Sequence, residues 1–268
     1  MSETVCVPWQ GYLACSSPNF VLIQDPHLVE GEVVHGPDSD YNCLVIAGLE
    51  YLKSEIENMD MVFLPESLDH STIAAATSVK HGDGEWRVIL NQDASISISR
   101  DEKIIKVNCD STKVMELDYY NEIETAWKRE MMVENVSQGA YVSEQLYRSN
   151  EETRLALSSQ LKGEKTIWPP RANILQEGNL NLDKQGRVIS WTSLSSAGAP
   201  SEFSIRAPVL GGITTILIEF EKGPRGVFML CDDKDRDPDI GEEVELVVRR
   251  LYAQEGIIRY GLKARCLQ

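Results

Sequence analysis

The chain has 268 residues, 42% apolar and 25% charged, with a formal net charge of −16. That length holds one large domain or two ordinary ones with a sizeable core, and no apolar run is long enough for a membrane span. The acidic balance opposes polyanion binding, which needs a basic surface, and MSETVCVPWQ lacks the basic-then-apolar order of a signal peptide, so a cytoplasmic protein with no nucleic-acid and no membrane partner is expected.

The first part reads as mixed α/β. NFVLI has strand character, and the apolar spacing of Leu44, Ala47, Leu49, Leu52 and Ile56 predicts a helix over YNCLVIAGLEYLKSEIENM. MVFLPES reads as a strand ended by Pro65, followed by strands in WRVILNQ, ASISIS and KIIKVN. A helix between strands predicts a βαβ-like unit. Residues 118–132 read as the next helix and 143–161 as another, with Ser149 and Glu152 spaced like a capping box. At Trp168, Pro169, Pro170 and Arg171 the two prolines impose an extended corner and disfavour helix before it. Beyond it RVISWTSLSS, ITTILIEFEK, GVFMLCD, EEVELVVRRLY and GIIRYGLKAR are five strand candidates separated by Gly, Pro and Asp turns. Five short strands at this spacing suit a small closed barrel of the OB type.

The obvious chemical motifs fail one by one. Asp233, Asp235 and Asp237 alternate like an EF-hand loop, but the glycine and bidentate glutamate positions hold Pro238 and Val244, so a solvated turn is expected. His81 and Asp83 sit in the Gly-Asp-Gly turn HGDGEW with no nucleophile in register, which again reads as a surface turn. The six cysteines include no C-x-x-C pair, so no cysteine zinc site is expected and reduced, buried thiols are. Cys43 stands near the start of a predicted helix, where the dipole favours a thiolate, with His70 or His81 as candidate bases. Against this, Cys43 lies beside Leu44 and Ala47 on the apolar face, and small buried cysteines are the commoner case.

The C-terminal half, about residues 143–268, resembles the zinc-ribbon/OB-fold proteins that accompany thiolase-superfamily enzymes, such as the third component of archaeal acetoacetyl-CoA thiolase/HMG-CoA synthase complexes. WPPR matches that family's aromatic-Pro-Pro-Arg corner, Gly178 matches the glycine after its second cysteine pair, and GEEVELVVRRLYAQEGIIRYGLKAR is similar to its closing strands. The family's four zinc-binding cysteines fall here at Gln160, Gly163, Ile174 and Glu177, a set that cannot hold zinc. The resemblance therefore implies a metal-free remnant of a ribbon, its corner held by packing of Trp168 and Ile174. More faintly, CVPWQGYLACSSPNFVLI, DSDYNCLVIAGLEYL, MVFLPES, NQDASISISRDEKIIKV and ETAWKRE resemble segments of ketoacyl-synthase III and HMG-CoA synthase proteins. Only about twenty-five residues separate FLPES from NQDASIS, too few for the segment that carries such an enzyme's nucleophile, and no thiolate, base and oxyanion hole occur together.

The expected fold class is thus α+β multidomain: a degenerate thiolase-like α/β domain over 1–135, a helical connector with the ribbon remnant over 136–182, and a five-stranded OB-fold β-barrel over 183–268. The resemblance implies a non-catalytic companion subunit in a hetero-oligomer with a thiolase-fold enzyme, bound to no cofactor or metal of its own and positioning acyl-CoA or a phosphopantetheine-linked acyl group at the partner interface. An acyltransferase with Cys43 as nucleophile, and an OB-fold module for another ligand, are the alternatives. Arg171 is a candidate for a CoA phosphate or a partner carboxylate. Arg249, Arg250 and Lys263 are candidates for one basic face, though strand alternation sends Arg249 and Arg250 to opposite sides.

Overall fold

The computed structural model describes residues 4–56, 59–100, 113–134, 151–171, 178–233 and 236–267. The chain divides into two compact units, Met1–Glu122 and Ile123–Gln268.

The first unit contains β1 (Val5–Trp9), β2 (Tyr12–Ser17), β3 (Phe20–Gln24), β4 (His27–Val29), β5 (Glu32–Val34), α1 (Tyr41–Glu55), β6 (Met61–Val62), α2 (His70–Thr77), β7 (Lys80–His81), β8 (Arg87–Leu90), β9 (Ser95–Ser99) and β10 (Lys113–Val114). Its main sheet has the order β1-β2-β3-β9-β8, and every pairing in it is antiparallel. The expected βαβ arrangement therefore gives way to a meander. Tight turns reverse the chain: Gln10 and Gly11 both have positive φ, 51° and 85°, as a two-residue hairpin between right-twisted strands requires. Among the described residues of this unit, parallel pairing is confined to β4 with β10, β6 with β7, and a single bridge from Phe63 to Arg87. KIIKVN lies outside the described residues.

The thiols of this unit correct the expectation of reduced cysteines, because Cys6 and Cys15 form a disulfide. They are direct partners across the β1–β2 hairpin, with Cα atoms 4.1 Å apart. Counting out from the two-residue turn puts this pair, and Pro8 with Leu13, at positions that do not exchange backbone hydrogen bonds, where Cα atoms approach most closely. Pro8 consequently loses no bond to β2.

Helix α1 starts at Asp40, whose carboxylate accepts from the Cys43 N–H at 3.0 Å. Almost all of it is buried, Cys43 to Leu49 without interruption, which explains its weak one-sided pattern: the helix packs on β2, β3 and β9 and also against α2. Gly48 is the point of closest approach. A Cβ there would stand 2.8 Å from Ile98 Cδ1 and 3.0 Å from Ile23 Cγ1, so a larger residue would have to push these side chains aside for the helix to settle as closely on the sheet.

Helix α3 (Leu117–Met131) contains the division between the units. The second unit continues with α4 (Glu151–Leu155), β11 (Ser158–Lys162), β12 (Lys165–Ile167), β13 (Gly178–Asn181), β14 (Gln185–Leu194), β15 (Ile213–Glu219), β16 (Arg225–Leu230), β17 (Glu243–Gln254) and β18 (Ile257–Cys266). The helix expected over 143–161 ends at Leu155 and its first part lies outside the described residues. Leu157 takes a positive φ of 52°, and Ser158–Lys162 is a strand because it pairs with both β12 and β13. All five expected barrel strands form, and they close in the order β14-β15-β16-β18-β17. The parallel pairing of β16 with β18 is what closes the ring, a five-stranded Greek-key barrel of the OB type. Alternate residues point inward, among them Ile216, Ile218, Leu230, Val244, Leu246 and Ala264, all buried.

Replacing Gly48 by Val should lower the stability of the first unit by about 1–3 kcal/mol through overpacking against Ile23 and Ile98. Urea denaturation followed by far-UV circular dichroism reads this directly; an unchanged midpoint would contradict the packing described.

Candidate functional site

The corner at Trp168–Arg171 is assembled by three contacts. The Trp168 ring stacks on Phe228 at 5.8 Å and meets Phe220 edge-on at 6.0 Å. Its indole N–H donates to the Thr153 carbonyl at 3.2 Å. Gly226 makes room, since a Cβ there would lie 2.9 Å from Trp168 Cζ3 and 2.5 Å from the Phe228 ring. The Trp168–Pro169 peptide is cis. The end of the corner is held by Gln160: the Arg171 N–H donates to Gln160 Oε1 at 2.8 Å, and Gln160 Nε2 donates to the Arg171 carbonyl at 3.2 Å. Gln160 is buried on β11 and Gly163 makes the β11–β12 turn with φ +58°. Ile174 and Glu177 lie outside the described residues. The Arg171 side chain is exposed.

One end of the barrel carries a buried ionic cluster. Arg206, from the segment between β14 and β15, is fully buried. Its Nε donates to Glu130 Oε1 at 3.0 Å, its Nη1 to Asp232 Oδ2 at 3.1 Å, and its Nη2 to the Leu251 carbonyl. Lys263, also fully buried, donates to Asp232 Oδ1 at 2.6 Å, and the Ala253 N–H donates to Glu130 Oε2 at 3.1 Å. Two cations thus meet two carboxylates away from water. The Trp127 ring carries the Arg206 guanidinium at 3.8 Å and that of Arg250 at 4.2 Å. Burial pushes the Glu130 carboxyl up, against the opposing charge of Arg206.

This placement corrects the basic face expected of Arg249, Arg250 and Lys263. All three are buried. Lys263 is held by Asp232, Arg250 lies over Trp127, and Arg249 donates to the Val248 carbonyl at 3.0 Å. Arg171 is the member of the expected set that reaches solvent. A groove of about 500 Å³ on the barrel surface is lined by Asp183, Glu219, Glu221 and Glu243, with Arg187 as its one cation. Four carboxylates against one guanidinium make it a poor phosphate receptor.

In the first unit Cys43 is 1% exposed, its Sγ 4.0 Å from the Asp38 carbonyl. A thiol so buried is not presented to a bulky thioester. His70 and His81 stack on each other at 4.5 Å; His70 Nε2 is bonded to the Pro65 carbonyl, and His81 Nδ1 accepts from the Leu64 N–H. Asp83 is exposed in its turn. The acid–base pair the structure does contain was not anticipated: Asp25, fully buried, meets His27 Nδ1 at 2.5 Å and accepts from the Gly36 N–H at 3.0 Å. Burial pushes the Asp25 carboxyl up, but His27's hydrogen bond and charge, with the Gly36 N–H, bring it below the ordinary value. Nothing in the sequence separates Asp25, Glu130 or Arg206 from the surface charges around them. Cys6 and Cys15 did leave a signal, standing at equal distances from the Gln10–Gly11 turn.

No protein-family model matches the chain. Over 106 residues, 37% of this chain, it is 29% identical to a protein of Pyrococcus furiosus described as a DUF35 domain-containing scaffold protein. Over 91 residues, 33% of this chain, it is 32% identical to a protein of Methanocaldococcus jannaschii with the same description. The chain spans 74% of the length of the first relative and 60% of the second. Among solved structures, one described as an Ltp2-ChsH2(DUF35) aldolase overlays with a TM-score of 0.31 and 16% identity, covering 44% of this chain and 89% of that one, too slight a likeness to assign a fold. Each of the two sequence matches covers about a third of this chain.

Arg206→Met should cost the second unit about 3–5 kcal/mol, because it leaves buried carboxylates short of a cation. Arg265→Met, which breaks the partly exposed contact to Glu245, should cost under about 1 kcal/mol; urea midpoints compare the two. The Asp25 pair predicts an acid-side effect. Its folded pKa lies below the ordinary 3.8, so the unfolded chain binds the proton first and the stabilisation, present above 3.8, is lost as pH falls through the folded value. By urea midpoint, Asp25→Asn should therefore be less stable than the parent at pH 6, with the gap closing only as pH falls below 3.8.

Proposed function

We propose that the chain is a scaffold subunit of a thiolase-superfamily acyltransferase or condensing complex, with no catalytic centre of its own. The observation that carries this is its likeness to two archaeal proteins described as scaffold proteins. The barrel and the Trp168 corner supply a rigid body suited to presenting a surface. In this reading the first unit is a degenerate thiolase-like domain that docks on a thiolase-fold partner, and the second positions a CoA-linked or phosphopantetheine-linked acyl group at the shared interface. Arg171, exposed at the end of the corner, is the cation proposed to meet a phosphate or a partner carboxylate. Gln160 stands in for a lost metal ligand: its amide holds the Arg171 peptide at both ends, as a ligated side chain would pin the same turn.

The burial of Cys43 favours this over an acyltransferase of the chain alone. Co-expression with a ketoacyl-synthase or thiolase from the same source, followed by size-exclusion chromatography with light scattering, should yield a complex of fixed stoichiometry. Arg171→Glu should weaken that complex or its affinity for CoA about tenfold, the effect of losing one charge-assisted contact. Acyl transfer by the chain without a second polypeptide, acylation of Cys43 by acyl-CoA, or stoichiometric zinc in the purified protein would overturn the proposal.

A further inference from the structure

The geometry of the β1–β2 hairpin points to a redox-active site at Cys6–Cys15: a latch that a dithiol opens by thiol–disulfide exchange, freeing the edge strand β1 from helix α1. The two sulfurs belong to very different surroundings. Cys6 lies exposed on the outermost strand, whereas Cys15 is 0% exposed in β2. The bond spans only nine positions of chain and lies beside the sheet core, so opening it leaves β2, β3, β9 and α1 packed as before. Exposed disulfides of this kind are the exchangeable ones, whereas buried ones resist.

What the latch controls is visible at the other end of β1. The Trp9 indole N–H donates to the Ala47 carbonyl at 2.9 Å, its ring meets Tyr51 edge-on at 5.3 Å, and Gln10 Nε2 donates to Glu50 Oε2 at 2.5 Å. Among the described residues, strand β1 has β2 as its single neighbour in the sheet order. With the disulfide in place, fraying of β1 is stopped at Cys6 and Trp9 stays on α1. With it open, the strand is held by its hairpin hydrogen bonds and the Trp9 and Gln10 contacts to α1, with no covalent tie to β2.

In the exchange, a thiolate of the reductant attacks the accessible Cys6 sulfur and the Cys6–Cys15 bond breaks, giving a mixed disulfide at Cys6 while Cys15 leaves and takes up a proton. The second thiol of the reductant then attacks the mixed disulfide, releasing Cys6 as a thiol and the reductant as its own disulfide. Two electrons and two protons pass from the dithiol to the protein. A low-molecular-weight disulfide reverses the process.

The test uses the full chain, native, with dithiothreitol as the dithiol and oxidised glutathione as the disulfide. Alkylation followed by peptide mass spectrometry should leave Cys6 unmodified in the oxidised chain and modify it after dithiothreitol without denaturant. Hydrogen exchange should quicken about tenfold or more at β1 amides, with protection of β3 and α1 retained, and oxidised glutathione should restore the slow rates. Cys6→Ser should show the fast pattern in either condition; if that variant does not fold, the wild-type arms decide alone. A bond that yields to dithiothreitol only in denaturant, a Cys6 still alkylated after oxidised glutathione, or β1 exchange that ignores the redox state would each sink the proposal.

Discussion

A guanidinium with no exposed surface has to find its compensation inside the protein, and Arg206 finds it in three separate stretches of chain. Glu130 comes from α3, Asp232 from the end of β16, the Leu251 carbonyl from β17, and Trp127 supplies a ring face. Each partner is placed only if its own element is in register, so one side chain ties a helix, a loop and two barrel strands to a common geometry. Lys263 completes the balance from β18. Such a cluster contributes little to net stability compared with an apolar filling of the same volume, because desolvation offsets most of the Coulomb attraction. Its physical effect is selective: any misplacement leaves a charge buried without a partner, so alternative packings of α3 on the barrel are strongly penalised.

The corner at Trp168 follows a different logic. There the geometry is imposed by fixed proline dihedrals and by an aromatic cluster with Phe220 and Phe228, and the backbone beyond is held by the Gln160 amide. Gly226 is the permissive element, since any side chain at that point would displace the indole. Rigid corner and ionic cluster together give the second unit two independent devices for holding non-barrel chain against the barrel wall.

The barrel was legible because its strands are short, alternate inward and outward, and are punctuated by turn residues, all local properties. Helices α1 and α3 were legible for the same reason. The first sheet was not: strand character can be read in NFVLI and ASISIS, but whether β9 joins β3 parallel or antiparallel depends on partners distant in sequence. The helix expected through residue 161 failed because Ser158–Lys162 gains hydrogen bonds on both edges as a strand, which outweighs local helical spacing. Arg249, Arg250 and Lys263 look like surface charges in VVRRLY and YGLKAR, and only the fold reveals that carboxylates and a tryptophan wait for them inside. Asp25 and Glu130 escaped notice for the mirror-image reason.

Pro8 also shapes the outer edge of the first sheet. At a position of β1 whose backbone faces away from β2, it presents a ring where a neighbouring strand would look for a donor. An incoming strand could not continue a ladder past that point. The sheet therefore carries a built-in stop against edge-to-edge strand addition at β1, the same strand that the Cys6–Cys15 bond ties to β2.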